Sequence, residues 1–128
     1  MPTVLIVDDE PHIRLLIEQT LEALEEEDVE ILTASNGEEA LQAVEDHRPA
    51  LVFLDVMMPK RNGFEVCRVI KQEMGLTGTY VVLLTAKGQV YDRRMGTDAG
   101  ADLYMTKPFD PDVLLQRARE VLGLVAAR

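Results

Sequence analysis

Five side chains in this sequence could do chemistry together if the fold brought them to one place. Asp8 and Asp9 stand side by side in VLIVDDE, and Asp55 interrupts the apolar run VFLDVMMP. Thr85 closes VVLLT, and Lys107 sits in YMTKPF. Three carboxylates cannot share a small site while ionised unless a cation joins them. Oxygen ligands unaccompanied by His or Cys favour Mg²⁺, with Mn²⁺ as the alternative, over zinc or copper. Mg²⁺ held by few protein ligands keeps positions open for phosphate oxygens. Lys107 adds a positive point charge suited to phosphate, and Thr85 a hydroxyl donor. Such a set can stabilise a phosphoryl group in transfer, where catalysis is mostly positioning and charge compensation. The nucleophile would be a carboxylate. Asp55 is the acid in the least comfortable place, with apolar residues on both sides. An ionised carboxylate there is costly unless something compensates it.

The elements that must position these residues can be read from the apolar patterning. Thr3 to Val7 is a short β-branched run, consistent with a buried strand. Pro11 opens a helical pattern in which Ile13, Leu16, Ile17, Thr20 and Leu24 share one face. Val29 to Thr33 reads as strand two. Ser35-Asn36-Gly37 followed by Glu38 and Glu39 is a cap-like helix start, and Ala40, Leu41 and Val44 give that helix its apolar side. Ala50 to Leu54 is strand three. Asn62-Gly63 marks a turn, and a helix from about Phe64 turns Cys67 and Ile70 inward. Tyr80 to Leu84 is strand four, a helix of mixed polarity spans about 89 to 98, and Asp102 to Met105 is strand five. Pro111 opens the last helix, with Leu114, Ala118 and Val121 inward. Strands that are continuous apolar runs, alternating with helices, predict an α/β fold. Its doubly wound parallel sheet is covered by helices on both faces. Ligands bind such sheets beyond the carboxyl ends of the strands, where the winding reverses. In the order 2-1-3-4-5, strands one and three are neighbours. Asp8, Asp9 and Asp55 then converge on one edge, with Thr85 and Lys107 beside them.

VLIVDDE, VFLDVMMP, VVLLTAK and GADLYMTKPF together resemble the response-regulator receiver domain of two-component signalling, typified by the bacterial chemotaxis response regulator. The resemblance runs from about Val4 to Leu122. Any one motif is weak, but four in this order, each at a predicted strand, are specific. The resemblance implies a flavodoxin-like fold and phosphorylation of Asp55 by a histidine kinase or phosphotransfer protein. It also implies Mg²⁺ held by Asp8, Asp9, Asp55 and the backbone carbonyl of Met57, with Asp9 a direct ligand and Asp8 acting partly through water. Thr85 matches the hydroxyl that moves toward the phosphoryl group, Lys107 the lysine that pairs with it, and Tyr104 an aromatic position that often turns inward on activation. Family members usually carry a cis peptide before the proline matching Pro108. By the same resemblance the output surface is the face built from the helix at 89 to 98, strand five and the last helix. That face would serve a downstream protein or a second copy.

Some positions depart from the family pattern. Lys60-Arg61-Asn62-Gly63 lacks the acid that often precedes the glycine, although Asn still suits a turn there. Leu103 stands where the winged-helix DNA-binding subfamily usually has a second acid, one that joins an intermolecular salt-bridge network. Arg93, Arg94, Arg117 and Arg119 would still make the output face locally basic and suited to an acidic partner.

Each residue alone has a plainer reading. Asp8 and Asp9 could cap a helix, Asp55 and Thr85 could end strands, Lys107 could be solvated, and Tyr104 could be packing. The joint pattern favours the site. His12 and His47 read as surface residues, and Gly75-Leu76-Thr77-Gly78 lacks the spacing and lysine of a phosphate loop. Two other functions fit the residues less well. A phosphatase with an aspartyl nucleophile usually has a second Asp two residues on, where Met57 stands here. A degenerate, unphosphorylated binding module usually loses an acid or the lysine, and none is missing.

Composition narrows the setting. With 128 residues and 47% hydrophobic content the chain suits one domain, read as a single receiver over residues 1–128, standing alone or excised from a longer regulator. A formal charge of −10 weighs against direct nucleic-acid binding. Part of that charge lies in EEEDVE at 25 to 30, read as a solvated helix end. One cysteine permits no internal disulfide, no leader pattern develops at the start, and no apolar run reaches the roughly 18 residues needed to span a membrane. The expected location is cytoplasmic and the expected role is not that of an enzyme, beyond catalysing its own phosphorylation and dephosphorylation.

Overall fold

The computed structural model describes residues 2–58, 61–86 and 99–124. Five parallel strands form one sheet: β1 (Thr3–Val7), β2 (Glu30–Ala34), β3 (Leu51–Asp55), β4 (Tyr80–Ala86) and β5 (Leu103–Lys107). Their order is β2-β1-β3-β4-β5, so the winding reverses between β1 and β3. This is the flavodoxin-like doubly wound arrangement expected from the sequence. The helices are α1 (Pro11–Thr20), a short α2 (Glu22–Glu25), α3 (Gly37–His47), α4 (Gly63–Arg68) and α5 (Pro111–Leu122). The helix predicted at 89 to 98 lies outside the described residues.

Alternation along each strand divides the core into two layers. Val4, Ile6, Phe53, Val82 and Leu84 face α1, α2 and α5 through Ile17, Leu21, Leu24, Leu114 and Ala118. Leu5, Val7, Val52, Leu54 and Leu83 face α3 and α4 through Ala40, Val44, Phe64, Val66 and Cys67. Each Val, Leu, Ile or Phe among them contributes about 1.5–3 kcal/mol when removed from water. β1 and β3 are buried along their whole length, which makes them a rigid mount for whatever follows.

Local chemistry explains the helix starts. Pro11 occupies the first turn of α1. Asn36 accepts the Glu39 N–H at 2.9 Å, and the Glu39 carboxylate accepts from the Ser35 N–H at 3.0 Å, a reciprocal cap for α3. Asn62 caps α4 by accepting the Glu65 N–H at 3.0 Å. Asp110 caps α5, and Gly123 ends it in the left-handed region.

The fold corrects several expectations. Leu16 is 41% exposed, and Leu21 takes the inner place assigned to it. Ile13, Ile17, Leu21 and Leu24 form the inner stripe at spacings of four, four and three, and Leu16 lies off it; the helix is interrupted at Leu21, between α1 and α2. β2 and β3 begin one residue later than predicted, and β4 continues two residues further, so Thr85 lies inside it. α4 widens into a π-helical turn over Val69–Glu73, where the Met74 N–H reaches the Val69 carbonyl at 2.8 Å. Arg119 does not face outward. It is buried and pairs with Glu27, so it cannot add to a basic docking face, and Glu27 is not merely solvated. Arg117 pairs with Glu120 at 3.3 Å along α5, and Arg93 and Arg94 lie outside the described residues. His12 and His47 are on the surface as expected. Leu103, where the winged-helix subfamily has an acid, is the first residue of β5 and packs against the α1/α5 layer.

Candidate functional site

The strand register builds the site. Val7 pairs with Leu54, so the next residues, Asp8 and Asp55, are neighbours at the carboxyl edge of the sheet. On the far side Thr85 pairs with Thr106 and Ala86 with Lys107. Lys107 reaches across that edge. Its Nζ lies 3.0 Å from Asp8 Oδ2 and 3.3 Å from Asp55 Oδ1. The peptide bond between Lys107 and Pro108 is cis.

Asp8 and Asp55 are both buried. Asp8 Oδ1 accepts the Glu10 N–H at 2.9 Å, so both of its carboxylate oxygens are engaged by the protein. Asp55 Oδ1 accepts the Met57 N–H at 3.3 Å. Burial and the adjacent Asp8 charge push the Asp55 carboxyl up to about 7, against the pull of Lys107 and the Met57 amide. Burial pulls the Lys107 ammonium down. Its hydrogen bond to Asp8 and the charges of Asp55 and Asp8 more than offset this, and its pKa is raised. One lysine is therefore too little compensation for two buried acids, which leaves the site short of positive charge.

Asp9 and Glu10 are exposed beside this pair. Carboxylate oxygens of Asp8, Asp9 and Glu10 lie within 4.8 Å of one another, close enough to share one metal ion. Glu10, not Asp55, is the third acid in that group. Thr85 is buried, and its Oγ1 has no hydrogen-bond partner among the described residues. A buried hydroxyl left unpaired has a cost and is available to an incoming acceptor. The donor set, all hard oxygen with an ammonium opposite, fits Mg²⁺ or Mn²⁺.

Val56 is buried, while the Met57 side chain is 60% exposed, so it is the backbone of Met57 that meets Asp55. Tyr104 is half-buried on β5 and packs against the α3/α4 layer. Gly63 allows α4 to start directly under Asp55: a Cβ there would lie 2.4 Å from the Asp55 carbonyl oxygen. Two neighbours of the site were not singled out in the sequence. Glu10 was visible as the next acid in the run. Arg14 donates from Nη1 to the Asp8 carbonyl at 2.7 Å, and the only signal for it is its place one turn into α1.

The sequence matches the family model for the response regulator receiver domain over residues 4–119. A curated relative described as a probable transcriptional regulator, ycf27 of Pyropia yezoensis, is 45% identical over 93% of this chain and 46% of its own length. A putative response regulator from Chloroflexus aurantiacus superposes with a TM-score of 0.82 at 32% identity, over 96% of this chain and 99% of that one. The chemotaxis protein CheY4 of Vibrio cholerae gives 0.81 at 31%, over 94% and 98%. The chain spans about half the length of the curated relatives it matches. With its family model matched from end to end of the sheet and its acids at the sheet's switch point, this chain belongs to the receiver domains of response regulators.

Proposed function

We propose that this receiver accepts one phosphoryl group on Asp55 from a histidine kinase or histidine phosphotransfer protein, in the cytoplasm, with Mg²⁺ as cofactor. The observation that carries this reading is the buried pair of acids bridged by Lys107, with the unpartnered hydroxyl of Thr85 on the next strand. In the transfer an Asp55 carboxylate oxygen attacks the phosphorus, the bond to the donor histidine nitrogen breaks, and the nitrogen keeps the electron pair. Asp8, Asp9, Asp55 and the Met57 carbonyl are the residues that would hold the cation. When bound, Mg²⁺ supplies charge neutralisation for the transferring oxygens. Lys107 holds the acids in place beforehand and becomes a partner for the phosphoryl oxygens. Thr85 gains the acceptor it lacks. That gain draws β4's end toward Asp55 and biases the half-buried Tyr104 inward. The signal then leaves through the face that includes β5 and α5, toward a protein partner or a second copy. Residues 1–128 form one receiver unit, standing alone or within a longer regulator, and the −10 charge weighs against nucleic-acid binding by this chain itself.

The test is mass spectrometry after incubation with Mg²⁺ and a small phosphodonor such as acetyl phosphate. The wild type gains the mass of one phosphoryl group and Asp55→Asn gains none. Equal labelling of both sinks the proposal.

A further inference from the structure

Beyond the acids themselves, the structure contains a tie that fixes where they stand. Asp8 lies one residue past the β1 ladder, and among the described residues no backbone N–H reaches its carbonyl. Arg14 Nη1 takes that carbonyl at 2.7 Å, while the Arg14 backbone N–H reaches the Glu10 carbonyl at 3.0 Å. The Asp8 N–H is held by the Ala34 carbonyl at the end of β2, at 3.2 Å. The Asp8 carboxylate then accepts the Glu10 N–H and the Lys107 ammonium. The three-residue turn carrying Asp8, Asp9 and Glu10 is thus pinned at both ends, and the guanidinium closes it from the helix side. The half-buried Arg14 meets the group through the Asp8 backbone carbonyl, and among the described residues it forms no ion pair with the carboxylates of Asp8, Asp9 or Glu10. Its effect passes through the backbone.

We propose that Arg14 is a positioning residue for the acidic pocket, holding the Asp8–Glu10 turn in the geometry that takes a divalent cation. This rests on the Mg²⁺ reading of the pocket given above. Two opposite consequences of removing Arg14 can be separated. As a nearby positive charge it repels the cation, and its loss would tighten binding. As a backbone tie it preorganises the ligands, and its loss weakens binding. A hydrogen bond at 2.7 Å to the backbone of a buried acid favours the second, since outer partners of metal ligands typically change affinity by about 10-fold or more.

The experiment is a MgCl₂ titration of ¹⁵N-labelled wild type, Arg14→Ala and Arg14→Lys, followed through the backbone amide signals of Asp9 and Glu10. Arg14→Ala is expected to bind Mg²⁺ about 10-fold more weakly. Arg14→Lys, which keeps a donor, recovers most of the affinity. In the metal-free proteins the Glu10 amide, bonded to Asp8 Oδ1, shifts in Arg14→Ala and not in Arg14→Lys. Amide signals from β1, β3 and β4 away from the pocket stay in place and control for folding. Equal or tighter binding by Arg14→Ala overturns the inference alone. No Mg²⁺ binding by the wild type overturns the pocket reading and this inference with it.

Discussion

The Lys107 ammonium bridges two buried carboxylates on adjacent strands, 3.0 Å from Asp8 Oδ2 and 3.3 Å from Asp55 Oδ1. This lysine stands where positive charge is needed, and it is one charge against two.

Lys107→Met is therefore expected to destabilise the metal-free protein by about 3 kcal/mol at neutral pH, because both acids lose their partner while remaining buried. Adding Mg²⁺ recovers part of the loss. Urea unfolding with and without the ion checks this. A variant as stable as wild type without Mg²⁺ would show that the bridge has no energetic role.

The Asp55 carboxyl sits at about 7 in the fold against 3.8 in its ordinary state. The folded protein therefore holds this proton more tightly than the unfolded chain does. The associated stability is fully present below pH ~4 and is lost as pH rises through about 7. Asp55→Asn removes that dependence. It is expected to be more stable than wild type at pH ~8 by ~2 kcal/mol without metal, with the gap closing toward pH ~4. Urea midpoints of both proteins across this range measure it.

Gly63→Ala forces a Cβ to within 2.4 Å of the Asp55 carbonyl oxygen and 2.9 Å of the Val56 Cα. Backbone atoms cannot step aside as a flexible side chain does. A loss of about 1–3 kcal/mol is expected, together with slower phosphorylation as the Asp55 mount shifts. Gly78→Ala, with no atom within 4 Å of the new Cβ, is the control and is expected to be neutral.

Cys67 is buried on α4 and donates to the Ala99 carbonyl at 3.4 Å. Burial pushes its thiol up to about 12, against the pull of the Lys71 charge. Native protein is expected to resist thiol reagents, with labelling appearing only as the protein unfolds in urea. Rapid labelling of the native state would contradict this burial.

The sequence by itself determined the sheet and the residues at its edge. Five apolar runs alternating with helical patterns predict a parallel sheet covered on both faces, while its register is fixed only in the assembled sheet, because strands apolar on both faces do not specify it. Asp8, Asp55, Thr85 and Lys107 are legible for the same reason: each ends or follows a run whose direction is already known. What the tertiary structure decided is how charges and helix phases are shared among distant parts of the chain. Leu16 is exposed because it lies off the stripe of Ile17, Leu21 and Leu24 that packs against the sheet and α5. Glu27 captured Arg119 across 92 positions of sequence. Lys107 bridges two acids, Glu10 joins Asp8 and Asp9 in the acidic group, and Arg14 closes the turn that carries them. Periodicity reports what faces a core. It carries no record of which distant partner a charge will find, since that is set by the energy of the assembled site.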